Sequence, residues 1–427
     1  MNCDNQEQTV VVTGMGIISA VGIGVSAFLD ALYQGKSNFI RSSDYPMLSF
    51  PVIGAFLPNF IFSQDLKKFP FFSQQLEKIG RHAPRSIQMA IIAMLEAWQQ
   101  AKLNQIAIAD SEKIGLIVAG ENTTGHYQYH SYATFRKDPN QLSPYYALHF
   151  MDTDHVGVLS EIFGILGEGF TVGGASATGN VALVRAYQML RNNWQNVCVV
   201  LGALADLSPM ELQAFHNLGA LGGAGFEEEP NKACRPFDKG HEGFIYGQAI
   251  GCLILETEFF AKKRNAAILG YLLGGSSSLD GNRLTQPNLN GEIRSMNHAM
   301  HVSGVTEGDI DYINAHGSST PQGDQIEIKA IESIFGQGQK LKINSTKSII
   351  GHCLWSAGIV EAIATLVQMQ EGFVHPNLNL DNPITFKNQL VGKERLSFQI
   401  NTALSNSFGF GGINSTIILS RNPKMKR

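Results

Sequence analysis

Four segments of this chain carry residue types suited to acyl or carbonyl chemistry. Gly173-Gly174-Ala175-Ser176-Ala177-Thr178-Gly179 is a run of small residues that follows a β-branched stretch and opens an apolar segment of helical period. Such a run lets the backbone bend sharply and sets Ser176 at a helix N-terminus, where free N–H groups and the positive end of the dipole favour negative charge, a developing oxyanion included. Taken alone, the run reads first as a tight turn with Ser176 as N-cap. Asn314-Ala315-His316-Gly317-Ser318-Ser319-Thr320-Pro321 ends another β-branched stretch, placing an imidazole and hydroxyls at a strand's C-terminal end. Alone, a histidine there is more often structural. Asn344-Ser345-Thr346-Lys347-Ser348 precedes Gly351-His352, and a second apolar helix with Glu361 inside it follows. A buried Lys347 needs a partner, and Glu361 is the candidate. Residues 406–414 (NSFGFGGIN) read as a glycine-rich loop between strands, either a hairpin turn or a source of backbone N–H groups for a ligand. Gly14-Met15-Gly16 lacks the third glycine of a dinucleotide fingerprint, Ser19 standing in its place, and no acidic residue follows ~20 positions on. It reads as a tight strand-to-loop turn, and a nicotinamide cofactor is excluded.

Elements must position these groups. Short β-branched runs at 9–13, 114–119, 169–172, 197–201, 250–255, 268–273, 312–315, 342–344 and 413–419 alternate with amphipathic stretches such as 85–101 and 326–335. The alternation predicts an α/β architecture with sheets covered on both faces. There is also an internal echo between 175–190 and 356–369. Each begins with small residues and continues with an apolar stripe, Val181, Val184 and Leu190 in the first and Ile359, Ile363 and Val367 in the second. Few charges interrupt either, so each predicts a buried helix. Two similar halves sharing one core, 9–258 and 259–427, are expected to meet near Lys262-Lys263-Arg264.

Composition narrows the class further. The 427 residues are 44% hydrophobic and only 16% charged, with 44 glycines and a formal net charge of −4. That balance suggests a large core and an oligomer, and argues against a nucleic-acid binder. The longest uncharged apolar runs fall far short of the ~20 residues that span a bilayer. Residues 1–8 show no basic-then-apolar order, so no secretory signal is expected. Cys3, Cys198, Cys234, Cys252 and Cys353 are dispersed without CxxC or CxxH spacing, as expected of reduced thiols in a cytoplasmic protein with no zinc site.

Together, in this order and spacing, the segments are specific. The chain resembles the β-ketoacyl-acyl-carrier-protein synthases, the elongating condensing enzymes, from TVVVTGMGIISAVG through ACRPFDKGHEGFIYGQA to LSNSFGFGGINSTIIL. The resemblance implies a thiolase fold: two similar halves in a five-layer α/β/α/β/α arrangement, usually a homodimer. It implies that His316, Lys347 and His352 surround the catalytic position, with Glu361 as the lysine's partner. Ser318 and Thr320 correspond to the pair that binds phosphopantetheine, and Phe408 to the gatekeeper aromatic, whose N–H would join that of Ser176 in an oxyanion hole. By resemblance the carrier-protein surface lies at Lys78, Arg81 and Arg85, one turn apart before the 85–101 helix. A solvated helix face is the plainer reading of those three charges. No metal and no cofactor of its own is implied, the substrate arriving on the phosphopantetheine of an acyl carrier protein.

One position departs decisively. Where the family has cysteine, this chain has Ser176. A thiol with a pKa near ~8.5 is ionised with help from a helix N-terminus, whereas a dipole worth ~0.3–2 kcal/mol cannot ionise a hydroxyl at neutral pH. Acyl transfer is therefore the impaired step. Decarboxylation needs only a stabilised enolate, which the two histidines can provide. The expected reaction is malonyl-carrier to acetyl-carrier plus carbon dioxide. This resembles the ketosynthase-like malonyl-carrier decarboxylases of polyketide β-branching cassettes, which supply an HMG-CoA-synthase-like enzyme. The alternatives are a Ser176-dependent acyltransferase or slow condensing enzyme, and a non-catalytic partner subunit like the chain-length factors. The acyl-pocket loop reads Gly120-Glu121-Asn122-Thr123-Thr124, polar groups that disfavour an acyl tail, each costing ~1–3 kcal/mol if left unpaired. Gln248 replaces an acidic residue usual in the family.

Overall fold

The computed structural model describes residues 8–69, 73–106, 108–336, 341–386 and 389–423. Residues 1–7, with Cys3, lie outside them. Two groups of five strands repeat one pairing scheme. In the first, spatial order runs Gly169–Val172, Ile114–Ala119, Val197–Gly202, Ala249–Thr257, Val10–Ser19. In the second it runs Lys342–Asn344, Tyr312–Asn314, Thr402–Gly409, Ile413–Ser420, Gly270–Leu279. Both therefore read third, second, fourth, fifth, first in chain order. Both have parallel pairs among the first three and antiparallel pairs at the last two junctions. A short antiparallel pairing of residues 10–12 with 270–272 joins the groups, and Gln389–Leu390 adds a strand beyond Lys342–Asn344.

The two helices predicted to be buried, Thr178–Arg191 and Ala357–Glu371, lie between the groups and touch strands of both. Arg85–Gln100 covers the outside of the first group. Leu289–Ser303 covers the outside of the second, with Pro321–Phe335 packed beside it. The result is the five-layer thiolase fold. One apolar cluster runs from Val10 to Leu419 through both central helices, so the halves share a core.

Several local expectations change. The strand predicted at 9–13 continues to Ser19, through Gly14 and Gly16. These glycines do not make a turn. A Cβ at Gly14 would stand 2.2 Å from the Ala97 carbonyl oxygen, and one at Gly16 1.9 Å from that of Ala93, so they let the strand press against Arg85–Gln100. The C-terminal segment read as a loop is mostly strand. Thr402–Gly409 and Ile413–Ser420 pair in register, with Gly411 and Gly412 at positive φ in the connection. Cys198, Cys234, Cys252 and Cys353 are buried free thiols, with burial pushing their pKa values up. Among the described residues no helix is long and apolar enough to cross a membrane, and no group of three His, Cys, Asp or Glu is set to hold a metal ion.

Candidate active site

The central helices cross where neither has a side chain. A Cβ on Gly179 would lie 2.8 Å from Ile359 N, and one on Gly358 2.5 Å from Asn180 Oδ1. Each helix is entered through a three-residue 3-10 turn, 175–177 and 354–356, that begins at a residue with positive φ: Ala175 at 49° and Leu354 at 50°. Left-handed backbone at a non-glycine residue is strained, and here the same bend in both halves turns the two helix entrances toward each other. Ser176 on one turn and His352 just before the other meet, with Nε2 2.9 Å from Oγ. Ser176 is half-buried and caps nothing with its side chain, which rules out the N-cap reading.

The contact alone would suit a serine and its general base, but the other ring nitrogen decides the direction. Leu354 N–H donates to His352 Nδ1 at 3.1 Å. A neutral imidazole that accepts at Nδ1 carries its hydrogen on Nε2, so His352 donates to Ser176 Oγ and cannot take its proton. Burial, with the Lys347 charge second, holds the His352 pKa well below its usual value, keeping the ring neutral.

His316 sits at the end of Tyr312–Asn314, its ring edge-on to His352 with centroids 5.4 Å apart. Lys347 Nζ lies 3.4 Å from His316 Nδ1 and donates to the His316 carbonyl at 2.7 Å. It forms an ion pair with Glu361, both side chains 1% exposed. An ammonium facing Nδ1 forces that nitrogen to accept, so His316 also presents Nε2–H. Burial and then Lys347 lower its pKa strongly. Burial raises Glu361 to about 7 against the pull of Lys347. Lys347 therefore orients His316 and does not itself line the cleft.

The cleft encloses about 400 Å³ and brings Ser176, His316, His352, Phe408, Ser318 and Thr320 to one wall system. Ser318 Oγ and Thr320 Oγ1 are 2.8 Å apart, and the Phe408 ring stands 5.9 Å from that of His316. Gly409 abuts the Ser176 turn, where a Cβ would come within 3.2 Å of Ser176 N. Lys78, Arg81 and Arg85 are exposed, as a docking patch requires, but they do not share one helix face. Ser73–Gly80 ends before Arg81, whose Nε bonds His82 at 2.9 Å, and a new helix starts at Arg85.

Three residues of the site, Glu327, Trp355 and Glu292, escaped the sequence reading, and a fourth, Glu121, has a different role from the one expected. Glu121 is not left unpaired toward an acyl tail: Oε1 accepts from Gly174 N, from Ala175 N at 2.7 Å and from Thr178 Oγ1 at 3.3 Å, fixing the bend before Ser176. The rest of its loop is satisfied too, Asp152 accepting from Asn122 N, Thr123 N and Thr123 Oγ1. The expected cost of unpaired groups is thus absent. Glu327 accepts from His316 N at 2.8 Å, Gly317 N at 2.7 Å and Asn406 Nδ2 at 3.1 Å, and burial raises its pKa to about 7. Its spacing from the buried Asp324, two acids on one helix face, was the available signal. Trp355 lines the cleft with Cδ1 3.8 Å from where a Cβ on Gly120 would stand. Glu292 also lines it. Gln248 gains a role as well: Oε1 accepts from Leu57 N at 3.1 Å while Nε2 donates to Tyr246 Oη at 3.1 Å, which a carboxylate could not do.

Family models match over most of the length: β-ketoacyl synthase, N-terminal domain, over residues 7–261, and β-ketoacyl synthase, C-terminal domain, over residues 269–381. The chain belongs to the β-ketoacyl synthase family. Among ketosynthase relatives, it is 38% identical over 416 residues to the polyketide biosynthesis malonyl-ACP decarboxylase PksF of Bacillus subtilis (strain 168), covering 97% of each chain. It is 31% identical over 422 residues to 3-oxoacyl-[acyl-carrier-protein] synthase 2 of Coxiella burnetii, covering 97% of this chain and 99% of that one. A solved type II polyketide ketosynthase in complex with its acyl-carrier protein superposes with a TM-score of 0.82 at 25% identity, covering 98% and 100% of the two chains.

Proposed function

We propose that this ketosynthase-family protein decarboxylates malonyl-acyl-carrier protein to acetyl-acyl-carrier protein and carbon dioxide, as an enzyme without the family's cysteine nucleophile. The observation that carries the reading is the direction of the His352–Ser176 hydrogen bond. With Nδ1 already accepting from Leu354 N–H, His352 is a donor into the cleft, and Ser176 has no base there to make it a nucleophile. The likeness to PksF, a malonyl-ACP decarboxylase by name, supports the same reaction.

In the proposed mechanism, Ser318 and Thr320 hold the phosphopantetheine arm, and the thioester oxygen replaces Ser176 Oγ as acceptor of His352 Nε2–H while also accepting from His316 Nε2–H. The bond to the carboxylate breaks, carbon dioxide leaves, and the electron pair becomes an enolate whose oxygen charge the two donors stabilise. Such donors are effective because they are aimed in advance in a partly dry site. The Lys347–Glu361 pair holds His316 in the donating tautomer, and the N–H groups of Phe408 and Ser176 add to the oxyanion environment.

The proposal extends to setting. The halves are assigned as 9–258 and 259–427, and the partner is an acidic carrier protein docking at Lys78, Arg81 and Arg85. A homodimer is supported by the half-buried edge strand Gly169–Val172, which ends the sheet, and by Gly125–Lys137, a helix with no buried residue that exposes Tyr132 and Phe135. The acetyl product would feed polyketide β-branching through an HMG-CoA-synthase-like enzyme, in the cytoplasm. Incubation with malonyl-carrier protein and intact-mass measurement of the carrier tests the core claim. Loss of carbon dioxide to give acetyl-carrier is expected. An unchanged carrier refutes it, and a stoichiometric acyl adduct on Ser176 favours the acyltransferase or slow condensing reading instead. A carrier unchanged alone but acted on with a second synthase subunit would favour the chain-length-factor-like role.

A further inference from the structure

The enolate left by decarboxylation must take a proton at C2, and the groups placed so far do not supply it. His316 and His352 are neutral rings whose one hydrogen each points at the oxygen; losing it would leave an imidazolate. The Ser176 hydroxyl is too weak an acid to replace them. Three carboxyl side chains line the cleft, Glu242, Asp280 and Glu292. Glu242 Oε2 accepts from Gly223 N and Gly225 N, both at 3.1 Å, and Asp280 Oδ1 accepts from Asn414 Nδ2 at 2.8 Å and Arg294 at 3.4 Å. Both of these carboxyl groups are thus supplied with donors.

Glu292 differs from both. It stands in the first turn of Leu289–Ser303, its residue surface only 1% exposed, and Oε2 has no hydrogen-bond partner among the described residues. A buried carboxylate oxygen without a donor leaves its charge uncompensated, which proteins avoid by keeping the proton. Burial first, then the charges of Glu327 and Asp280, hold its pKa well above the usual range, outweighing the favourable helix dipole. Its carboxyl is thus an acid with a hydrogen to give, on the wall of the cavity that holds both oxyanion donors.

We propose that Glu292 is the general acid that protonates C2 of the enolate. The inference rests on the decarboxylase reading above. As the enolate collapses, its electron pair takes the Glu292 hydrogen to form the new C–H bond of the acetyl group. The resulting carboxylate regains a proton from water that enters the cleft as product leaves, so that overall one solvent proton replaces carbon dioxide. An acid on the wall of this cavity would also set the enzyme's choice of reaction. A condensing enzyme must keep that carbanion unprotonated until it attacks an acyl group, whereas here quenching it completes the turnover.

The test compares the full chain with Glu292→Gln and Glu292→Asp on malonyl-carrier protein, in water and in an equal mixture of water and deuterium oxide. In Glu292→Gln, kcat for acetyl-carrier formation is expected to fall ~10²–10³-fold with KM little changed, since one acid contributes about that much. The deuterium content of the acetyl methyl group should shift, because water then donates directly. Glu292→Asp should recover part of the rate. A Glu292→Gln kcat near the parent's, a loss confined to KM, or an unchanged deuterium content overturns the proposal. Should Glu292→Gln not fold, the same criteria apply to Glu292→Asp. If the parent itself releases no acetyl-carrier, the decarboxylase reading falls and Glu292 with it; if the parent is active and the variants match it, only Glu292 falls.

Discussion

At the scale of single residues, two nitrogens decide what this site can do. Leu354 N–H on His352 Nδ1 and Lys347 Nζ beside His316 Nδ1 commit both rings to donate from Nε2. Replacing either histidine by alanine should slow decarboxylation by ~10²–10³-fold, the usual loss for one oxyanion donor. Steady-state rates on malonyl-carrier check this, and near-parent rates in both variants contradict it. Ser176 tests the same logic from the other side. If its hydroxyl only accepts a hydrogen bond from His352, Ser176→Ala should keep substantial decarboxylase activity, and the parent should show no acyl adduct by intact mass. Ser176→Cys puts a thiol where the Ala175 bend and His352 already lie, so acylation by a short-chain thioester should become measurable. An inactive alanine variant together with an acyl-serine on the parent would assign Ser176 a covalent role. The chemistry-bearing residues that line the cleft were singled out in sequence by their places at the ends of β-branched or small-residue runs. Their expected roles came from the family resemblance of those runs taken together. Their supports were not legible. Glu121 acts on Gly174 and Ala175, 53 and 54 positions away, and nothing local to Glu121 announces that.

At the scale of elements, the site exists because two apolar helices cross closely enough to bring their entrances together. The echo between 175–190 and 356–369 showed both helices, but not their crossing, which depends on Gly179 and Gly358 meeting across 179 positions of chain. Gly358→Ala should therefore harm more than a helical glycine-to-alanine change normally does. Helix propensity would gain up to ~1 kcal/mol, but the new methyl would stand 2.5 Å from Asn180 Oδ1 and 2.7 Å from Asn180 N. Asn180 Nδ2 is itself held by the Ser405 carbonyl at 3.0 Å, so it cannot simply swing aside. Overpacking of this kind costs ~1–3 kcal/mol, and activity should fall with stability because Ser176 and His352 move apart. Chemical denaturation and turnover measured together check this, and a stabilised, fully active Gly358→Ala refutes the account. Gly14 and Gly16 carry the matching lesson. Locally a glycine pair after a β-branched run signals a turn, and only the approach of Arg85–Gln100 shows why glycine is needed inside a continuing strand.

At the scale of the whole molecule, charge acts in two ways, one at the surface and one in the core. A protein of net charge −4 needs a local basic patch to attract an acidic carrier. Arg81→Glu should therefore raise KM for malonyl-carrier while sparing a malonyl-pantetheine substrate. Equal effects on both would point to damaged folding. In the core, buried ionisable groups make stability depend on pH with opposing signs. Burial lowers the pKa of His155 and His375 from 6.5 to about 4, and raises those of Glu327 and Glu361 from 4.5 to about 7. Below pH 6.5 the unfolded chain binds protons that the buried histidines refuse, so each histidine loses stability as pH falls toward 4. Between pH 7 and 4.5 the folded chain keeps protons on the buried carboxyls that the unfolded chain has released, so each carboxyl gains stability over the same descent. The two sets offset one another in the parent, and a single-site comparison separates them. His155 is suited to it: its Nε2 has no partner among the described residues, and its Nδ1 reaches only Thr123 Oγ1, at 3.3 Å. The parent should exceed His155→Gln in stability by more at pH 7.5 than at pH 5. The margin should shrink by up to ~2 kcal/mol, at ~1.4 kcal/mol per pH unit below 6.5. Denaturation midpoints of both proteins across that range provide the measurement. A margin that stays constant or widens as pH falls would mean that His155 is charged, or reached by water, in the folded protein.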